Sequence, residues 1–387
     1  MQKQMLHKIH ITCAALAITG IAPGFAFAAD APAAAPAGPK LSDVLDASGI
    51  AITGYVAASY YHSSGYSTYH QFDIEHDTFQ LDQAGVTIAY QPKEGFGALV
   101  NIIGGEDARV INGAENGTNS TVNVTQAFVQ YATGPLTVMA GKFVTLAGAE
   151  VIAPTGNTNF SRSLLFFSEP LTHTGIRASF AATDTITLIA GVNNGWNLTS
   201  TSYGSKTGEL GVAFAPNKMF ALAAQAYIGK VQAFDANRTL VDIVGTYNAT
   251  SSLSFVLSYD WGKQQQGDVG AVSSPDLDWD GVAGYVNYAI NDLMRVSVRG
   301  EYLDDKDGFN TGTPQKVKEG TVTFGYSPVK SFEMRAEFRY DKSNSNAPIF
   351  FKTLAAKNAN APNGDNLSEF ALQAVYKFSA PPPAPTP

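Results

Sequence analysis

Charged and apolar side chains alternate without interruption over residues 332–341. Glu333, Arg335, Glu337 and Arg339 share one parity, and the side chains between them are apolar. Because successive side chains of a β-strand point to opposite faces, this segment predicts a strand with one charged face and one apolar face. Charged side chains on the inner wall of a closed barrel can select ions and small solutes, and that is the chemistry this pattern offers.

Six further charged residues are candidates for lining or narrowing such a pore. They are Glu150, Arg162 and Glu169 in the connection 146–172, and Arg295, Arg299 and Glu301 in the segment 294–303. A basic ladder on the wall, opposite acidic residues of the connection, would create a transverse field that selects solutes. In the alternative, the wall charges neutralise one another in water and have no role in selectivity, because solvated ion pairs contribute little.

Histidines offer an enzymatic alternative. A hydrolase built on an outer-membrane barrel needs an Asp–His or Ser–His pair at the outer rim. His76 lies between Glu75 and Asp77, and His173 follows the connection 146–172. A loop histidine beside acids is more often simply solvated, and neighbours in sequence rarely converge on one metal ion. The sequence therefore predicts no catalytic residue, no metal site and no cofactor.

The elements that must position these side chains are short strands. Sixteen segments have the strand pattern: 52–61, 80–90, 96–104, 122–131, 136–145, 173–182, 186–195, 208–215, 220–229, 239–248, 253–262, 281–290, 294–303, 317–327, 332–341 and 368–378. Short, turn-forming connections alternate with longer ones rich in Gly, Asn and Ser along the whole series. This alternation is typical of an all-β, up-and-down antiparallel barrel that spans a membrane, with short periplasmic turns and long outer loops. The apolar parity changes within the second segment, which predicts a bulge near residues 83–85.

Other segments flank this barrel, which is predicted over residues 50–378. Residues 1–28 have the basic start, apolar stretch and small-residue cleavage site of a secretory signal peptide. Residues 29–49 form an Ala/Pro-rich periplasmic linker, and residues 379–387 form a Pro-rich tail that cannot join a sheet. Past the signal there is no run of about 18 apolar residues, so the sequence predicts no membrane-spanning helix.

Charge and cysteine content exclude several classes of protein. The formal net charge of the full chain is −8, and loss of Lys3 and Lys8 with the signal leaves −10. A chain this acidic is not expected to bind nucleic acid, and its charge leaves open a mild preference for cationic solutes. The single cysteine, Cys13, lies in the signal, so the mature chain has no disulfide, no thiol nucleophile and no Cys–metal site.

The connection 146–172 is the third long loop of the predicted barrel. It contains the apolar run Leu164–Phe167, which would be costly if it were exposed to water. Packing of this run against the inner wall would narrow the pore. Capping of the barrel or contact with another subunit would also bury the run, so these interpretations stay open.

Several motifs lie in the central part of the chain. They are Gln126–Tyr131, Ala140–Phe143, Gly148–Glu150, Asn159–Ser163 and Pro170–Gly175. Together with Thr53–Tyr55 and Tyr376–Phe378 at the two ends, they resemble the OmpL-like beta-barrel porin type 2 family over residues 50–378. The resemblance implies an outer-membrane porin whose partners are outer-membrane lipid, small hydrophilic solutes and the barrel-assembly machinery. Trimers are common among sixteen-stranded porins, so a homotrimer is expected by analogy.

The function predicted from these observations is passive diffusion of small hydrophilic solutes or ions through a water-filled barrel. The barrel would lie in the outer membrane of a Gram-negative-type cell and act as an ion-transport channel. Two alternatives stay open. One is a surface barrel for adhesion or ligand binding with little conductance, and the other is a hydrolase with its site at the rim.

Overall fold

The computed structural model describes Leu45 and residues 47–201, 204–231, 236–265, 275–344 and 348–380. The signal peptide (1–28), most of the linker (29–49) and most of the Pro-rich tail (379–387) lie outside the described residues and stay predictions. None of the helices among the described residues is long and apolar enough to cross a membrane.

Sixteen strands form one closed antiparallel barrel. They are β1 (Ala51–Ser63), β2 (Thr78–Tyr90), β3 (Gly95–Gly104), β4 (Val122–Thr133), β5 (Leu136–Val144), β6 (Thr172–Ala181), β7 (Ile186–Asn193), β8 (Thr207–Phe214), β9 (Phe220–Val231), β10 (Ala236–Asn248), β11 (Leu253–Gln264), β12 (Leu277–Ala289), β13 (Met294–Asp305), β14 (Gln315–Val329), β15 (Phe332–Ser343) and β16 (Asn366–Ala380). Each strand pairs with its neighbours in sequence, and β16 pairs back with β1. Each of the sixteen predicted strands overlaps one of these, so the predicted fold class is confirmed.

A bulge interrupts the pairing of β1 with β2. Ala57 pairs with Gln83 and Ala58 pairs with Leu81, so Asp82 is an extra residue in β2. Asp82 and Gln83 are both buried, because the bulge turns two consecutive side chains to the inside. The predicted bulge near residues 83–85 is therefore present, one residue earlier in the chain.

The strand that carries the alternating charges shows how the two faces differ. Phe338 and Tyr340 of β15 point outward and are 49% and 43% exposed, whereas Glu337 and Arg339 are 3% and 1% exposed. Apolar outward side chains are those that face lipid in a membrane barrel. The charged side chains are buried because other segments fill the lumen beside them.

Short helical segments lie in the long connections. They are α1 (Glu106–Asn116) in the second loop, the 3-10 turn Pro154–Gly156 and α2 (Leu164–Phe167) in the third, and α3 (Leu354–Asn358) in the eighth. Helix α2 begins after Ser163, whose hydroxyl accepts a hydrogen bond of 3.0 Å from the amide of Phe166. This cap satisfies one of the amide groups that a helix start leaves unpaired.

The third loop (145–171) folds into the barrel. Leu164 and Leu165 pack in one apolar cluster with Trp279 and Leu303, which belong to the inner wall. The apolar run of the third loop is therefore buried against the wall, and this is the first of the interpretations that the sequence left open.

A second apolar cluster joins the third loop to the first two loops. Phe166 and Ile152 pack there with Phe72 of the first loop and Ile111 of α1. The core of the molecule thus lies inside the barrel, between its wall and its inserted loops, and it positions the charged side chains described next.

Candidate functional site

Arg299 of β13 is the most connected charge in the lumen. It is fully buried, and its guanidinium donates hydrogen bonds of 2.9 Å to Glu150 and to the carbonyl oxygen of Ser161. It also donates to Glu319 on the neighbouring strand, at 3.2 Å. One arginine therefore joins two strands of the wall to the third loop.

Two glutamates of the wall bind backbone amides of the third loop. Glu301 accepts hydrogen bonds of 2.9 Å from the amide of Leu164, the first residue of α2. Glu337 accepts from the amides of Phe160 and Ser161, at 2.6 and 2.9 Å. Both side chains are buried, so these hydrogen bonds satisfy polar groups that would otherwise be unpaired inside the barrel.

Three further arginines of the wall bind backbone carbonyl groups of the same loop. Arg295 donates to Thr158 at 2.7 Å, Arg335 donates to Asn159 at 3.3 Å and to Pro154 at 3.2 Å, and Arg339 donates to Arg162 at 2.7 Å. The carboxylate of Glu333 bridges two of them, at 2.7 Å from both Arg295 and Arg335. The seven wall residues, Arg295, Arg299, Glu301, Glu333, Arg335, Glu337 and Arg339, are called the Arg/Glu wall below.

Arg162 holds the third loop in its folded shape. Its guanidinium donates to the carbonyl oxygens of Val151, Ile152 and Phe160, at 3.0, 2.8 and 2.8 Å. It also lies over the ring of Phe72, 5.4 Å from the centroid. Buried carbonyl groups need partners, and here one side chain satisfies three of them.

Nine of the ten charged residues singled out in the sequence therefore meet in one network around the third loop. The tenth, Glu169, lies elsewhere, beside Asp242 of β10 and Asp260 of β11. Burial and the carboxylates of Asp260 and Asp242 raise the pKa of Glu169 well above its usual range. The role of the ten residues in solute selectivity stays a prediction, since most of them are buried and bonded to the loop or to each other.

Another group of buried charged residues, around His70, holds the first loop in place. His70 lies 2.9 Å from Asp73 and 3.6 Å from both Asp341 and Glu369. Arg339 completes this group through its 2.9 Å ion pair with Asp341. Burial and Arg339 oppose a charge on the imidazole, but the three carboxylates outweigh them and raise the pKa of His70 well above its usual value.

A cavity of about 720 Å³ lies beside the third loop. Its lining combines apolar side chains with the polar side chains of Tyr55, Thr87, Asn101, Thr125 and Thr155, of which the last belongs to the third loop. A space of this size, with hydroxyl and amide groups on part of its walls, has room for water and small solutes.

Comparison with known proteins gives the family. The model of the family described as "Putative beta-barrel porin-2, OmpL-like" matches residues 49–378. The chain belongs to this family. The porin matches no curated protein in sequence.

Solved structures share the fold of the porin. The outer membrane channel DcaP of Acinetobacter baumannii is 13% identical, with a TM-score of 0.58 over 85% of this chain and 97% of that chain. The anion-selective porin from Comamonas acidovorans is 11% identical, with a TM-score of 0.56 over 85% and 99%. The trimer form of OmpT, an outer membrane protein of Vibrio cholerae, is 14% identical, with a TM-score of 0.56 over the same shares.

Among the described residues, the histidines considered for catalysis have no nucleophile beside them. His76 contacts Asp77 at 2.6 Å, and His173 lies 3.2 Å from the carbonyl oxygen of Gly195. The other ring nitrogen of each is buried and has no hydrogen-bond partner among the described residues. A Ser–His arrangement needs a hydroxyl within hydrogen-bond reach of the imidazole, and neither histidine of the porin has one in the described part of the chain.

Sequence reasoning missed the residues whose partners come from distant segments. His70 and Asp73 lie in a loop without periodicity, and Asp242 lies on a strand whose partners in the lumen depend on the path of the third loop. The sequence of β10 and β11 did contain a signal that could have indicated an acidic site in the lumen. Asp242 and Asp260 have the inward parity of their strands, with no Lys or Arg of that parity within two positions of either.

Proposed function

We propose that the porin allows small hydrophilic solutes or ions to diffuse passively through its barrel. The observation that carries this proposal is the third loop, which is bound inside a closed sixteen-stranded barrel beside a cavity of about 720 Å³. Barrels of this size enclose an aqueous channel unless a loop plugs it, and an inserted loop narrows the channel.

We propose that the Arg/Glu wall acts on solutes indirectly. Its charges bind the backbone of the third loop and so fix the width of the passage, rather than presenting free charge to a solute. The acidic chain still favours cations mildly, because the field of the whole protein concentrates counter-ions in its clefts.

The proposal is tested by recording from the refolded mature protein in planar bilayers. We expect stepwise conductance and a reversal potential with a small cation preference in a salt gradient. Because Glu150 is paired with Arg299 and the pKa of Glu169 is raised, replacing both by Gln should change that preference little. A clear fall in the preference would place both residues in the selectivity filter. If a correctly folded barrel gives no steps, the alternative of a surface barrel for ligand binding or adhesion is favoured.

The proposal also covers the export, membrane insertion and oligomeric state of the porin. The signal at residues 1–28 would direct export, and the barrel-assembly machinery would insert the chain into the outer membrane. A homotrimer is supported by one similar structure that is described as a trimer form. Chemical crosslinking of the refolded protein in detergent tests this, since a trimer gives a ladder that ends at three chains.

The proposal includes no enzymatic step. The rim histidines are the residues on which a hydrolase would depend, so His76→Ala and His173→Ala are the variants to test. We expect neither to alter any turnover of lipid or peptide by the purified porin. A loss of measurable hydrolysis in either variant would contradict the proposal.

A further inference from the structure

Three carboxylates meet where the end of the third loop touches the wall. Asp242 of β10 and Asp260 of β11 are directly opposite each other across the strand pair, and both are fully buried. Glu169 reaches them from the third loop, and one oxygen from each of the three lies within 4.8 Å of the others. Glu169, Asp242 and Asp260 are called the acidic cluster below.

The carboxylates of the acidic cluster have no basic side chain as a partner in the described part of the chain. Both side-chain oxygens of Asp242 and of Asp260, and Oε2 of Glu169, are buried without a hydrogen-bond partner among the described residues. Like charges directly opposite on a strand pair destabilise it, and an unpaired buried carboxylate is costly. A fold that brings three such groups together requires a cation or protons to neutralise them.

A separate observation points to a ligand at the same place. The hydroxyl of Ser258 is 1% exposed, lies beside Asp242 and has no hydrogen-bond partner among the described residues. A buried hydroxyl normally finds an acceptor or an ordered ligand. Here it places a fourth oxygen atom, which could contact a bound ion, next to the three carboxylates.

The acidic group around His70 differs from the acidic cluster because it has basic partners. His70, Asp73 and Glu369 also lie close together, but Arg339 lies within 3.4 Å of Asp73, and His70 lies 2.9 Å from the same carboxylate. Protein cations already face the carboxylates of that group, which is not so for the acidic cluster in the described part of the chain.

We propose that Glu169, Asp242 and Asp260 bind one Ca²⁺ ion, which fastens the third loop to β10 and β11. Ca²⁺ takes oxygen ligands at about 2.3–2.6 Å, so two oxygens on one ion are at most about 5 Å apart. The spacing in the acidic cluster satisfies this limit. Mg²⁺ fits less well, because it usually keeps several of its waters and the site is buried.

The site also fixes the start of the third loop. Gly148 has a φ of +84°, and a Cβ at this position would collide with the carboxylate of Glu169. The backbone of Gly148 also lies next to Asp242. An ion at the acidic cluster would therefore hold both ends of the inserted loop, at Gly148 and at Glu169.

The experiment is a calorimetric titration of CaCl₂ into the refolded porin in detergent after treatment with EDTA. We expect one saturable site with a Kd between about 1 μM and 1 mM, and weaker binding of MgCl₂. The variant Asp242→Asn with Asp260→Asn should bind Ca²⁺ at least 100-fold more weakly.

The chain offers a matched control in Asp280 and Asp304. These two are also directly opposite each other on a strand pair, but each forms an ion pair with a lysine, at 3.3 and 3.1 Å. The variant Asp280→Asn with Asp304→Asn should keep the affinity of the original chain.

Three results would overturn the proposal. They are no saturable Ca²⁺ binding up to about 1 mM, which is near the weakest affinity of known protein sites, unchanged binding in the cluster variant, and an equal loss in the control variant. If the cluster variant does not fold, Glu169→Gln replaces it, because its side chain lies in a loop rather than in the wall. We expect Glu169→Gln to weaken Ca²⁺ binding at least tenfold, and an unchanged affinity would also overturn the proposal.

Discussion

Two regions of the barrel wall that hold the third loop differ in their charges. In one region, on β13 and β15, the Arg/Glu wall surrounds the loop with alternating charges, and Arg299 alone reaches Glu150, Glu319 and a loop carbonyl group. In the other region, on the nearby strands β10 and β11, the acidic cluster gathers Glu169, Asp242 and Asp260 with no basic partner among the described residues.

This difference separates two ways to fasten a loop inside a barrel. The Arg/Glu wall is complete in itself, because each buried charge has an opposite charge or a backbone group as its partner. The acidic cluster is complete only with a neutralising ion or with protons. Removing one partner of a buried ion pair destabilises a protein by about 3–5 kcal/mol, because the other charge is left uncompensated.

The largest effect is expected from Arg299→Met. Glu150, Glu301 and Glu319 would lose the guanidinium that lies among them, and the free energy of unfolding should fall by about 3–5 kcal/mol. Urea unfolding of the refolded porin in detergent measures this. Arg109→Met is the control, because its pair with Glu106 is partly exposed and should contribute less than about 1 kcal/mol. Equal losses in the two variants would show that the Arg/Glu wall does not hold the loop.

Removal of Ca²⁺ should produce the next largest effect, at the acidic cluster. If the acidic cluster binds the ion as proposed, a concentration of 100 Kd stabilises the folded porin by about 2.7 kcal/mol. EDTA should remove this stabilisation from the original chain and leave Asp242→Asn with Asp260→Asn unchanged. With EDTA present, the variant should be the more stable protein, because its buried carboxylates have become neutral amides. If the original chain were the more stable protein in EDTA, the contrast between the Arg/Glu wall and the acidic cluster would be contradicted.

The smallest effect is expected from His70→Gln, and it depends on pH. The pKa of His70 is raised in the folded state by its three carboxylate neighbours. A raised pKa gives stability that is fully present below the unfolded value, about 6.5, and is lost as pH rises through the folded value. The original chain should therefore lose more stability than His70→Gln as pH rises above about 6.5. Parallel pH profiles of unfolding would show that His70 carries no proton at neutral pH.

The strands could be predicted because their signal is local. Alternation of apolar and polar side chains and the turn residues between strands lie within a few positions of one another, and the change of parity near Asp82 was enough to indicate a bulge. The outward face of β15 follows directly from the parity of Phe338 and Tyr340.

The partners inside the lumen could not be predicted in the same way. Glu301 and Leu164 are 137 positions apart in sequence, and only the path of the third loop brings them together. The same loop decides that Glu169 faces Asp242 rather than the Arg/Glu wall. Parity shows which face a side chain occupies, but the identity of its neighbour in a filled lumen depends on packing that no short window contains.

The central claim is that the third loop lines and narrows a conducting barrel, and a single cysteine tests it most directly. The only native cysteine lies in the signal, so Thr155→Cys would give the mature porin one thiol, at the cavity beside the third loop. We expect stepwise conductance that falls when a methanethiosulfonate reagent is added, and no fall for Thr118→Cys, which is exposed on the second loop. Conductance that the reagent leaves unchanged in Thr155→Cys, despite labelling of the thiol, would contradict the account.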